Sequence, residues 1–374
     1  MRARGRSSRG LCWPHAAPWS TGHGSTDSPP GSQPMTMMRA VVQTAYGDPQ
    51  RVLELREVER PTASHGEVVV RVHATSVHAD VWHVVTGLPY VLRWMGAGAK
   101  RPTPAIPGID FAGEVHATGP GVREIGVGDR VFGESHRGLQ WKNGATFAEF
   151  ATVPASILAK IPVNVDFATA AAVPTAGYIA LANLRGEATV QPGHHVLING
   201  AAGGVGTIAL QLVKAQGAAV TAVDRADKLP PLRQLGADHL IDYQREDVTR
   251  SASRFDLIFD VASTLRLADC RRILSERGRF VVIGHDHYGS QGRRLLGSIP
   301  SMMGLMLRSL FDRHLPKPIL DMPPKAEVMR ELAARLADGS LTPLVHAKYP
   351  LSRVHEAMRA LQSGDGVGKI LLVP

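Results

Sequence analysis

The residues His195-Val-Leu-Ile-Asn199 read as a short buried strand, and they run without a break into Gly200-Ala-Ala-Gly-Gly-Val-Gly206. Behind the glycines, TIALQLVKAQG at 207–217 repeats its apolar residues at helical spacing. A second apolar strand, AVTAVD at 219–224, ends on Asp224, about 20 residues beyond the glycines. Strand, glycine turn, helix and strand in that order commit the chain to a parallel βαβ crossover, which excludes folds built only from hairpins. A pyrophosphate reaches backbone N–H groups only where no Cβ stands in the way, and a helix N-terminus adds unpaired amides and a partial positive charge. The same glycines would also serve a tight strand–helix turn with no ligand. The complete βαβ context and the acidic strand end select the dinucleotide reading, with Ala202, Gly203, Gly204, Val205, Gly206 and Asp224 as candidate contacts.

The pattern on either side divides the chain. From Met38 to about Lys160, short β runs separated by Gly and Pro turns (RAVVQ, VLELREV, EVVVRVHATSV, FAGEV, GDRVFGE, FAEFATV) predict a mainly β region. From Asp166, apolar strands at 195–199, 219–224, 239–243, 255–261 and 279–284 alternate with helical stretches at 204–216, 226–235 and 264–275. Such an alternation implies a parallel sheet covered on both faces, and the fold class expected is α/β. Two further helices, EVMRELAARLADG and SRVHEAMRALQSG, and a last strand, KILLV, close the chain.

The 42 Lys+Arg against 33 Asp+Glu give a net charge of +9, which would suit a polyanion partner if it were spread over the chain. It is local instead. Arg2, Arg4, Arg6 and Arg9 against Asp27 fall in residues 1–37, a Ser/Gly/Pro/His-rich run that reads as a disordered extension. An upstream start codon explains this run better than an organelle transit peptide, because no amphipathic helix can be drawn through LCWPHAAPWSTGHG. Five more cations with one anion fall in 293–317. The nearly neutral remainder, without a recognition motif or an aromatic-interleaved basic patch, argues against nucleic acid. No run approaches about 18 apolar residues, so no integral membrane span is expected. Two cysteines, Cys12 and Cys270, are too few for a four-thiolate zinc cluster and fit a reducing, cytoplasmic compartment.

The segment from Gly193 through Ala201-Ala-Gly-Gly-Val-Gly206 to Gln211 and Lys214 resembles the signature of the quinone oxidoreductase/ζ-crystallin branch of the medium-chain dehydrogenase/reductase superfamily, relatives of alcohol dehydrogenase. YGDPQRVLEL, PGIDFAGEV at 107–115, GVGDRVFG at 126–133, FAEFATVP, AAAVPTAG, LGADHLIDY and GKILLV extend the likeness over about residues 38–374. The resemblance implies a GroES-like β domain of residues 38–163 and 325–374 and a doubly wound Rossmann NAD(P)-binding domain of residues 164–324. The active site would lie in the cleft between them, and a homodimer is expected.

Zinc-dependent members of this superfamily hold the metal through a Cys early in the β domain, the His of a Gly-His-Glu motif and a later Cys. The matching positions here are His78 in SVHAD, Ile109 and the Val173-Pro174 region. Ile, Val and Pro ligate nothing, and a catalytic zinc needs three N, S or O ligands plus an open position. No zinc is expected, and the pairs His285 with His287 and His78 with His83 read as polar residues rather than metal ligands. The easiest remaining chemistry is NAD(P)H-dependent hydride delivery to a quinone or an α,β-unsaturated carbonyl, whose developing charge spreads onto a conjugated oxygen. Tyr46, His78, Asp80 and Thr175 are the candidates to hold the nicotinamide and the acceptor oxygen. His78 stands where the zinc-free family usually carries Asn. It reads either as a proton donor, since histidine titrates near neutrality, or as a polar side chain packed on the cofactor, and Asp80 reads as an orienting carboxylate.

Asp224 suits the ribose hydroxyls of NAD and repels a 2′-phosphate, while Arg225, Lys228 and Tyr243 cluster where NADP-using relatives hold that phosphate, so both nucleotides stay open. Ile283 and Lys369 complete the cofactor set. In 293–317, Met302, Met303, Leu305, Met306 and Leu310 are interleaved with the cations. An interface or a wall of the acceptor pocket is expected there ahead of a membrane patch, because Gly297, Pro300 and Gly304 break a long amphipathic helix. Two rival functions are an alcohol dehydrogenase with a non-standard metal site and a non-catalytic nucleotide-binding redox sensor.

Overall fold

Residues 36–135, 142–284, 294–318 and 322–374 are described by a computed structural model. The expectations for residues 1–35, Cys12 among them, and for His285 and His287 lie outside the described residues. The first strand, β1 (Met37–Gln43), already includes Met37, and it pairs antiparallel with β2 (Leu53–Glu59) from Met37 opposite Glu59 to Gln43 opposite Leu53.

The β region forms around β3 (Glu67–Val77), whose valines Val68, Val70 and Val72 are buried. β3 pairs antiparallel with β4 (Asp110–Thr118) on one side, and β5 (Arg130–Glu134), β6 (Phe150–Pro154) and β7 (Ala159–Lys160) extend the sheet. The parallel sheet consists of β8 (His195–Asn199), β9 (Ala219–Asp224), β10 (His239–Asp242), β11 (Phe255–Asp260) and β12 (Leu274–Val282). Its spatial order, β10-β9-β8-β11-β12, reverses direction at β8 and β11, which is the doubly wound arrangement. Val196, Leu197 and Ile198 have no exposure, as a strand covered on both faces requires. The last two strands, β13 (Val345–Pro350) and β14 (Lys369–Val373), return to the first sheet, where β14 pairs antiparallel with the end of β3.

Three local expectations shift. The helix read over 264–275 shrinks to Leu267–Cys270, and β12 starts at Leu274 rather than at residue 279. Gly278 permits that early start, because a Cβ there would stand 2.6 Å from the Phe255 carbonyl oxygen of the neighbouring strand. The 226–235 stretch becomes a turn of 3-10 helix at Ala226–Lys228 followed by Leu229–Gln234, whose prolines fall in the first turn where no N–H is needed. Within 293–317 the described residues form a helix of ten residues, Ile299–Arg308, again with the proline in its first turn. Among the described residues no helix is long and apolar enough to cross a membrane.

Candidate active site

One cavity of about 920 Å³ opens where the parallel sheet reverses. Its floor is made by the carboxyl ends of β8, β9, β11 and β12 through Asn199, Asp224, Val261 and Ile283. That is where open α/β sheets bind ligands, since two crossover loops diverge there and leave a crevice. The opposite wall comes from the β region: His78 and Asp80 at the start of helix Ala79–Thr86, His83 in its last turn, and Lys369 at the start of β14.

The glycine turn fits a pyrophosphate. Gly200 takes φ +76°, a conformation costly for any other residue, and turns the chain out of β8. At Gly203 the nearest atom to an added Cβ is the Gly200 carbonyl oxygen at 3.5 Å, so only the missing side chain leaves that space open. Gly206 serves packing, because a Cβ there would meet the same oxygen at 2.4 Å and Ala201 Cα at 2.7 Å. Helix Gly204–Ala215 begins at this point with its first N–H groups unclaimed by helix bonds, and Lys369 lies beside it, its Cδ 2.6 Å from where a Gly204 Cβ would sit. An anion at the turn would therefore meet amides and a cation held by the fold.

Lys369 is nearly buried and pairs with Asp110 at 3.4 Å. Asp110, at the head of β4, also accepts from Ser76 Oγ at 2.6 Å, from the Thr175 N–H at 3.0 Å and from the Thr175 hydroxyl. A buried carboxylate is tolerable only when so paired, and removing one partner of such a pair costs about 3–5 kcal/mol. Thr175 thus belongs to a cluster tying β3, β4, β14 and helix Pro174–Asn183 together, one layer behind the cavity, and not to its lining. Asp110 was not singled out in the sequence, although an acidic residue inside the apolar run PGIDFAGEV signalled a buried carboxylate in need of partners.

His78 caps helix Ala79–Thr86. Its Nδ1 lies 3.3 Å from the Asp80 backbone nitrogen and 3.2 Å from Asp80 Oδ2, and Asp80 is 2% exposed. His83 Nδ1 donates to the Leu88 carbonyl oxygen at 2.8 Å. Tyr46 is not brought to the cavity: its phenol lies 2.6 Å from both the Ala97 and Gly98 carbonyl oxygens, and burial pushes its pKa up against the opposing Arg93 guanidinium stacked 4.4 Å from the ring. Ile109 is 1% exposed and Val173 fully buried, so the positions matching two zinc ligands carry hydrocarbon. Among the described residues no three His, Cys, Asp or Glu side chains group so as to hold a metal.

At the far end of the cavity, Asp224 Oδ2 accepts the Ala202 N–H at 2.9 Å and Oδ1 the Arg225 N–H at 2.9 Å, so the strand-end carboxylate also braces the glycine turn. Arg225 is claimed by Asp227 at 2.8 Å and Asp365 at 3.0 Å, and does not line the cavity. Lys228 donates to the Gly364 carbonyl oxygen and stands 3.7 Å from Asp224. Tyr243 lines the cavity and is 56% exposed. The cavity therefore collects His78, Asp80, Gly203, Gly204, Val205, Asp224, Lys228, Tyr243, Ile283 and Lys369, leaving Ala202 and Gly206 behind the turn. Met302, from the segment expected to form an interface or a wall of the acceptor pocket, lines the cavity, and Asn183 and Asn199 join it although the sequence did not point to them.

Residues 64–163 match the alcohol dehydrogenase GroES-like domain, and residues 235–372 match the zinc-binding dehydrogenase domain. The chloroplast envelope quinone oxidoreductase homolog of Arabidopsis thaliana is 29% identical over 353 residues, covering 90% of this chain and 99% of that protein. The NADPH-dependent alkenal/one oxidoreductase of the same plant is 30% identical over 280 residues, covering 73% of this chain and 65% of the relative. The quinone oxidoreductase structure from Coxiella burnetii shares the fold with a TM-score of 0.75 at 24% identity, over 91% of this chain and all of that one. With both sheets, the glycine turn and both domain matches in agreement, the chain belongs to the medium-chain dehydrogenase/reductase superfamily of NAD(P)-dependent oxidoreductases.

Proposed function

We propose that the protein reduces quinones or α,β-unsaturated carbonyls with NAD(P)H and without a catalytic zinc. The observation that carries this reading is one cavity holding the open glycine turn, Lys369 and the His78–Asp80 pair, while Ile109 and Val173 fill the matching metal-ligand positions. The relatives named quinone oxidoreductase and alkenal/one oxidoreductase support the substrate class.

The amides at the start of helix Gly204–Ala215 and the Lys369 ammonium would hold the pyrophosphate, and the ends of β9 and β10 would face the adenosine half. When bound, the reduced nicotinamide supplies a hydride. For an enone the hydride joins the β-carbon and the π electrons move onto the carbonyl oxygen, so one proton must follow; for a quinone the same hydride and proton give the hydroquinone. His78 is built to supply it. From the charged ring Nε2 would release its proton while Nδ1–H keeps donating to Asp80 Oδ2, 3.2 Å away, so the neutral ring that remains holds the same partner and Nε2 can take up a proton again. Val77, Ile179, Val282, Leu361 and Ile370 in the lining limit water around the reacting atoms.

NADH is the preferred nucleotide in this reading. Asp224, Asp227 and Asp365 outnumber Arg225 and Lys228 where a 2′-phosphate would sit, and the guanidinium is already paired on both sides. Purified protein kept in excess chelator should oxidise NADH faster than NADPH with a small quinone or enal. Near-stoichiometric zinc with activity lost on chelation would return the alcohol dehydrogenase reading. Tight nucleotide binding without turnover across a broad quinone and enal panel would favour the redox sensor.

A further inference from the structure

A second cavity, of about 270 Å³, lies directly against the first and shares Asn183, Val282 and Met302 with it. The rest of its lining is mostly hydrocarbon, with Phe280, Leu315 and Ala188 buried and Leu305, Pro316 and Pro318 beside them. No carboxylate lines it among the described residues; of its two cations, Arg185 is paired with Glu331 and Lys317 is exposed. Nothing in the cofactor or proton chemistry above uses this space. A cavity so lined offers water few partners, whereas hydrocarbon entering it leaves water for apolar surface. The partition is adaptable as well. Met302 is an unbranched thioether on helix Ile299–Arg308, 44% exposed, and such a side chain can re-pack to let a chain pass between the two spaces.

We infer that the second cavity receives the hydrocarbon tail of the acceptor, so that the preferred substrates are quinones or enones bearing an extended alkyl or prenyl chain rather than small ones. This inference rests on the reductase reading and refines its substrate class. The reacting carbonyl stays near His78, and the tail runs past Met302 towards Phe280 and Leu315.

The probe is a series of 2-alkenals of four to ten carbons, assayed with NADH, alongside calorimetric binding of the matching saturated 2-alkanones. Once the tail reaches the partition, kcat/KM should rise about two- to fourfold per added methylene, and the ketone Kd should fall in step. Ala188→Leu and, on a separate element, Ser309→Leu narrow the cavity and should each flatten the chain-length slope, so loss of fold in one variant leaves the other to report. Turnover of short enals with no gain from length overturns the tail site and leaves the reductase reading standing. A full slope retained in both variants also overturns it. If neither the series nor a panel of quinones turns over, the reductase reading falls, and the ketone series alone then decides whether the cavity takes hydrocarbon.

Discussion

Exchanging Gly203 for Ala separates what a ligand asks of the glycine turn from what the fold asks. At Gly203 φ is −70° and ψ 171°, angles Ala adopts freely, and the new Cβ would come no closer than 3.5 Å to any protein atom. As the N-cap of helix Gly204–Ala215, Ala is poorer than Gly by a few tenths of a kcal/mol or more. The reduced freedom of the unfolded chain returns about 0.4–1 kcal/mol. Stability should therefore barely change. Binding should not be spared, because the methyl group stands where a phosphate oxygen must approach the amides. Losing one hydrogen bond to a charged group is worth about 1.5–3 kcal/mol, or roughly 10- to 150-fold in Kd. Gly206→Ala is the contrasting case: its Cβ would press on the Gly200 oxygen at 2.4 Å, a backbone atom with nowhere to go. Overpacking of that kind costs about 1–3 kcal/mol, and the melting temperature should fall by roughly 2–4 °C for each kcal/mol. Thermal unfolding without nucleotide and calorimetric titration with NADH read the two effects separately. A Gly203→Ala variant that binds NADH like the parent, or that melts as early as Gly206→Ala, would refute the assignment.

Asp224→Asn should narrow the preference for NADH over NADPH by on the order of tenfold, since it removes a negative charge near the 2′-position while the amide oxygen can still brace Ala202; thermal-shift titrations with both nucleotides measure it. Asp166→Ala removes the cap of helix Phe167–Ala171, where the carboxylate accepts the Thr169 N–H at 2.6 Å, and should cost about 1 kcal/mol in urea unfolding at neutral pH. That backbone hydrogen bond holds the Asp166 carboxyl below its ordinary range in the folded state. Its stabilisation is complete above the unfolded pKa and lost as pH falls through the lower folded one, so variant and parent should converge in acid.

The parallel sheet was legible because its strands carry their own signal: a run such as HVLIN must be buried on both faces, and the glycines and apolar helix that follow leave one topology. β12 was read too short because its first half, Leu274 to Arg277, alternates little and carries exposed Glu276 and Arg277, so its strand character comes from pairing with β11. The candidate site residues divide the same way. Those on the glycine turn are fixed by local sequence, whereas Tyr46 and Thr175 depend on partners far along the chain: the loop carbonyls at Ala97 and Gly98 for one, Asp110 for the other. No periodicity reports that β4, β14 and a helix converge on Asp110, and no spacing reports that Met302 lines two cavities at once.

Hydride transfer without a metal can be observed in a single experiment. Protein freed of metal by chelation is mixed with NADH carrying deuterium at the transferred position of C4 and with a 2-alkenal, and the product is analysed by mass and NMR. The account predicts one deuterium at the β-carbon of the saturated aldehyde, one solvent-derived hydrogen at the α-carbon, and a rate unchanged by added zinc. Deuterium at the carbonyl carbon, giving an allylic alcohol, or a rate restored only by stoichiometric zinc, would contradict it.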